Sequence, residues 1–79
     1  MEFPIHVALT LTGSAFPTEE VEHFVFRKGT TVADLLEVLK CDPEKTTVYE
    51  GHTDLAPVEE LEDYTNYIVV CNGIAPENN

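Results

Sequence analysis

Gly29-Thr30-Thr31-Val32-Ala33-Asp34-Leu35-Leu36-Glu37-Val38-Leu39-Lys40 is the stretch whose reading decides the fold. Val32, Leu35, Leu36 and Leu39 fall at i, i+3, i+4 and i+7, a single apolar stripe along a helix, while Asp34 and Glu37 stay on the wet side. The hydroxyl of Thr30 or Thr31 is suited to cap a free backbone N–H at the start. Asp34 in the first turn and Lys40 near the end both suit the helix dipole. Asp42-Pro43 stops the helix, because the residue before a proline resists helical angles. One helix with one stripe needs a single sheet face to bury it, so the flanking segments must supply strands.

They do. Upstream, Phe3, Ile5, Val7, Leu9 and Leu11 alternate with His6, Ala8, Thr10 and Thr12, the period of a half-buried strand. Gly13-Ser14 breaks it, and residues 20–27 resume a strand with Phe24 and Phe26 inward. The pair reads as an antiparallel hairpin. Its register is open; a centre near Ser14 and Ala15 would set His6 opposite His23. Downstream, Thr46 to Glu50 is a short β-branched strand ended by Gly51, and Leu55 belongs to a brief further one. Pro57 is expected to open a short helical turn through Leu61, with Val58 and Leu61 turned inward. Tyr67 to Cys71 is an almost wholly apolar last strand, which argues for a central position covered on both faces. Hairpin, helix, short strands and central strand make an α+β, β-grasp (ubiquitin-like) fold: a mixed sheet of four to five strands, one main helix on one face, first and last strands parallel. Residues 1–75 form this domain and 76–79 a flexible C-terminal tail.

The same helix segment resembles that of the small sulfur carriers of thiamine and molybdopterin synthesis, which share a G-x-T-V-x-x-L-L-x-x-L style of helix. Val48-Tyr49-Glu50-Gly51 is similar to their strand ending in V-N-G, and Leu61-Glu62-Asp63 before Tyr67-Ile68-Val69-Val70 is similar to their L-x-D-G-D-x-I. The resemblance spans roughly residues 29–77 and implies the same fold. It also marks two departures. Tyr64-Thr65 replaces the carriers' Gly-Asp. Ile74-Ala75 aligns with the first half of their I-A-G-G ending, and Pro76-Glu77 stands where the two glycines belong. In the family the terminal carboxylate is adenylated and then attacked by sulfur, on a tail that threads a narrow channel; proline stiffens such a tail and removes an N–H. With Asn79 last and no Gly-Gly upstream, carrier chemistry is expected to be absent.

Composition points to binding rather than catalysis. The 79 residues carry four basic and fifteen acidic side chains, a formal net charge of −11. Nucleic acid and anionic membranes are excluded as partners by repulsion; a protein partner with a basic surface is steered in by the same field. Solubility, or adaptation to a salty medium, also accounts for the charge. A domain this size buries only roughly 60% of its unfolded surface, too little to wall a large cleft, so no enzyme activity is expected. No apolar run reaches the ~18 residues of a membrane span. With no basic leader at Met1-Glu2-Phe3-Pro4, the cytoplasm is the expected compartment.

Side chains that could do chemistry are sparse. Cys41 and Cys71 lack metal-site spacing and read as reduced packing residues. His6 and His23 fall short of the three or four ligands a transition metal needs, and Glu59, Glu60, Glu62 and Asp63 lack a calcium loop's alternating donors, so neither metal nor cofactor is expected. What remains is a docking surface. The helix covers one sheet face, leaving either Tyr67, Val69 and Cys71 or Ile68 and Val70 uncovered beside Ala8. The candidate partner-binding set is Ala8, Val69 and Cys71, the acidic rim Glu59, Glu60 and Glu62, and Ile74-Ala75. The expected function is a non-catalytic interaction module related to the sulfur carriers. A carrier or conjugation protein with an atypical terminus, and an acidic inhibitor that mimics nucleic acid, are the alternatives.

Overall fold

The computed structural model describes residues 3–76. Strand β1 (Pro4–Thr12) pairs antiparallel with β2 (Glu20–Arg27), helix α1 (Val32–Leu39) follows, and a 3-10 turn (Pro43–Lys45) leads to β3 (Thr46–Glu50), β4 (Thr53–Asp54) and β5 (Thr65–Cys71). The sheet runs β2-β1-β5-β3-β4, with β5 parallel to β1 and antiparallel to β3. This is the β-grasp arrangement the sequence predicts, with β5 in the centre.

α1 begins where a capping box can form. Thr31 Oγ1 accepts the N–H of Asp34 at 3.3 Å, and the Asp34 carboxylate accepts the N–H of Thr31 at 3.1 Å. Two otherwise unpaired donors are thereby satisfied at once. The helix ends at Lys40, which adopts left-handed angles (φ 60°, ψ 34°), so its charge sits on the cap rather than in the last turn. Val32, Leu35 and Leu36 are buried against Ile5, Val7, Leu9 and Leu11 of β1, Val48 of β3 and Tyr67, Val69 and Cys71 of β5, with Leu39 half-buried at the margin. Phe24 and Phe26 of β2 extend this layer, stacked on each other with centroids 5.6 Å apart. Phe3 has the right parity for the core but precedes β1 and is exposed.

Gly13 shows how tightly the first turn meets β5. Its φ is +106°, and a Cβ there would overlap the Cys71 carbonyl oxygen. Only glycine allows that approach.

Three expectations need correction. The Pro57–Leu61 segment is a single turn, not a helix: Glu59 N bonds Ala56 O at 3.1 Å, then the chain straightens. Glu59 O accepts from Val32 N and Leu61 N donates to Thr30 O, so the backbone is spent on the start of α1 and cannot coil. Val58 consequently points outward, while Leu61 is buried. The hairpin register centres later than Ser14-Ala15: His6 pairs with Val25 and His23 with Ala8, so the two histidines are diagonal rather than opposite. β5 is central but covered on one face only. At the end of the domain, Ala75 N bonds Lys40 O at 2.9 Å and Ile74 bridges Cys41; residues 77–79 of the expected flexible tail lie outside the described residues.

Candidate functional site

Register decides which side of β5 is free. Leu9 of β1 pairs with Tyr67 and Leu11 with Val69, so all four share the face beneath α1. Val69 and Cys71 are 0% exposed. These two candidates therefore belong to the core, and the docking surface expected from them shifts one residue along the strand. The uncovered face carries Ala8 as expected, and with it Ile68 and Val70.

Across this face one row runs through all five strands: Val21, Thr10, Ile68, Tyr49 and Asp54 are successive register partners. Val21 is 62% exposed and Ile68 is 39% exposed. A second row is His23, Ala8 and Asn66, and a third pairs Val25 with His6. The acidic rim is not beside these residues. Glu60 bridges Thr31 and Glu59 O accepts the N–H of Val32 at 2.9 Å, fastening both to the start of α1, while the Glu59 carboxylate accepts the N–H of Ala56 at 2.7 Å. Glu62 follows, its N–H bonded to the Tyr67 hydroxyl at 2.7 Å. Ile74 is exposed, but the Cys41 bridge places it at the far end of α1. The structure thus keeps Ala8 on the open face and distributes the other candidates among core, helix start and helix end.

One cluster on the open face escaped the sequence reading. The Asp63-Tyr64 turn folds against β1: His6 N donates to Asp63 Oδ1 at 2.7 Å, and Tyr64 N donates to His6 O at 2.7 Å. The His6 and Tyr64 rings stack at 5.5 Å and 13°. Tyr64 has a φ of 56°, a left-handed conformation that costs a tyrosine roughly 1–2 kcal/mol, at the position where the carrier resemblance has glycine. The residue is nonetheless 83% exposed. With His6, Ala8, His23, Val25 and Asn66 it lines a depression in the open face. The signal in the sequence was the tyrosine standing in a glycine's place; its meaning depends on a backbone angle that no residue pattern displays.

The cysteines are free and buried. Burial pushes the Cys41 thiol up from 9.0 to about 12, and the neighbouring Cys71 thiol adds to the shift. Burial likewise raises the Tyr67 phenol above its ordinary value of 10.0. Cys41 and Tyr67 are held in the protonated form, while Cys71 moves the other way: burial raises its thiol, but hydrogen bonds with Thr46, Cys41 and Gly73 outweigh that and bring it below 9.0. Among the described residues no three His, Cys, Asp or Glu side chains gather as metal ligands, and no helix is long and apolar enough to cross a membrane.

No protein-family model matches the chain, and no curated protein does. Among solved structures it is similar to the N-terminal ubiquitin-like domain in the 4931431F19Rik protein, determined in solution. The TM-score is 0.64 at 14% identity, over 96% of this chain and 82% of that one. At that identity the likeness shows the fold: this chain has a ubiquitin-like β-grasp fold.

Proposed function

We propose that this chain is a non-catalytic ubiquitin-like module that binds a protein partner through the open face of its sheet. The observation that carries the reading is the uncovered row Val21, Thr10, Ile68 and Tyr49, apolar and aromatic but for Thr10, on an otherwise strongly acidic molecule. Such strips mark interaction surfaces on small soluble domains. The net charge of −11 favours a partner with a basic surface and accelerates its approach. Glu59, Glu60 and Glu62, fastened beside α1, contribute to that long-range field rather than to a rim in contact with the strip. The carrier-like helix supports a common architecture with the sulfur carriers, and cytoplasmic residence fits a reduced cysteine pair.

Affinity capture with the tagged chain, compared with Ile68→Glu, tests the reading. Ile68 is partly exposed on the face away from the core, so the substitution is expected to leave the fold intact by circular dichroism and to remove the captured partner. A partner retained in equal amount by Ile68→Glu places the contact elsewhere. Reversal of Glu59, Glu60 and Glu62 to lysine is expected to slow association without abolishing the complex.

A further inference from the structure

We infer that Cys41 and Cys71 form a modification site, at which a peroxide joins them in a reversible disulfide that clasps the end of α1 to the central strand β5. The site is independent of the open-face docking just proposed. The fold brings together two cysteines far apart in sequence, the only two in the chain. Cys41 follows the left-handed cap of α1 and bridges Ile74. On either side of that bridge Asp42 N bonds Gly73 O and Ala75 N bonds Lys40 O, both at 2.9 Å. Cys71 ends β5 and pairs with Thr46 of β3, whose hydroxyl donates to Asp42 O at 2.7 Å. These links hold the residues after α1 against the end of β5. The two thiols are both buried and share a hydrogen bond.

Two thiols in contact are one two-electron oxidation away from a disulfide, and their asymmetry assigns the order of events. Burial pushes Cys41 up to about 12, whereas hydrogen bonds bring Cys71 below 9.0. Cys71 therefore supplies the attacking thiolate. Its sulfur takes one oxygen of hydrogen peroxide, the O–O bond breaks, and the departing hydroxide takes up the proton Cys71 gave up. Cys71 is left as a sulfenic acid. The Cys41 sulfur then attacks the Cys71 sulfur. The S–S bond forms, the S–O bond breaks, and the expelled hydroxide leaves as water with the Cys41 proton. One peroxide is reduced to two waters, and two thiols are oxidised. The way in lies at the same end of the domain. The Cys41–Ile74 contact is an isolated bridge rather than part of a ladder, and Ile74 is exposed. Margins of this kind open locally at low cost, and peroxide is scarcely larger than water.

The reduced chain is treated with hydrogen peroxide under native conditions and read by non-reducing intact mass and peptide mapping. A monomer lighter by two hydrogens is expected, with Cys41 linked to Cys71 and both thiols restored by dithiothreitol. Closing the segment between them restricts the unfolded chain, so the urea midpoint of the oxidised form is expected to rise by about 2 M. In Cys41→Ser, dimedone is expected to trap the sulfenic acid on Cys71. In Cys71→Ser, Cys41 is expected to react about tenfold more slowly. Thiols that stay unmodified in the folded chain while the urea-unfolded chain oxidises would overturn the site. So would oxidation that ends in sulfinic acid or in disulfides between chains. A linked chain whose midpoint is unchanged or lower would overturn the clasp. These readouts use the unaltered chain, so they decide the matter even where a serine variant fails to fold.

Discussion

Cys41 and Tyr67 show how single residues set the pH range of the fold. Both are buried acids whose neutral form the core prefers: Cys41 is pushed up to about 12, and Tyr67 lies above its ordinary 10.0. An unfolded chain gives up these protons near their ordinary values, whereas the folded chain keeps them. Through these two groups the folded state binds more protons, and their contribution to stability falls as pH rises, offset in part by Cys71, whose thiol lies below 9.0. The contribution is complete below about pH 9 and is lost progressively as pH climbs toward the raised value for Cys41. Urea midpoints measured from pH 7 to pH 11 are expected to hold steady and then decline above about pH 9. Cys41→Ala should flatten the first part of that decline, at a cost in stability from the lost packing, and an unchanged pH profile in the variant would remove Cys41 as its source. Tyr64 makes the complementary point. Its residue type was readable as a departure from a glycine, but the left-handed angle and the His6 stack come from a turn closed by bonds to a strand 57 residues away.

At the scale of elements, legibility tracks how strongly one face differs from the other. β1 alternates apolar and polar residues without interruption, and its face assignment was readable directly. α1 was readable from its stripe, and the structure selects Thr31 from the two candidate caps because only it forms the reciprocal bonds with Asp34. β5 defeated the same logic. Thr65–Cys71 is apolar at nearly every position from Tyr67 onward, so period two leaves no mark, and only the pairing of Leu9 with Tyr67 decides the inward set. Hence Val69 and Cys71 exchanged places with Ile68 and Val70 in the candidate site. The acidic cluster was misplaced for a related reason: its backbone bonds to the start of α1 are long-range and have no sequence signature. The cap itself is testable. An eight-residue helix has few internal hydrogen bonds, so its ends weigh heavily. Thr31→Ala is expected to lower stability by about 1 kcal/mol in urea denaturation. Because the two bonds are reciprocal, Asp34→Ala and the double variant should be non-additive, and strictly additive losses would show that the box does not act as a unit.

The whole molecule carries its acidity almost unpaired. Among the described residues no charged side chain is buried, and the one contact of a basic with an acidic side chain is the 3.5 Å approach of His6 to Asp63. The domain measures 36 × 30 × 20 Å. At 0.01 M ionic strength the screening length is about 30 Å, so the net charge of −11 repels itself across the entire fold. At 1 M it shrinks to about 3 Å, less than the spacing of most surface groups. Sodium chloride is therefore expected to raise the urea midpoint between these limits, because unfolding separates the charges and screening removes that advantage. The same screening weakens attraction to a basic partner and slows its approach. The two responses have opposite signs, and together they separate the explanations of the acidity. A domain shaped only for a salty medium gains stability with salt and shows no salt-weakened complex. A domain shaped for a basic partner gains stability and loses affinity over the same interval. Denaturation midpoints and association rates measured in parallel at 0.01, 0.15 and 1 M salt settle the choice: a complex whose association rate and affinity are indifferent to salt would take charge out of recognition and leave the apolar strip on the open face to account for binding alone.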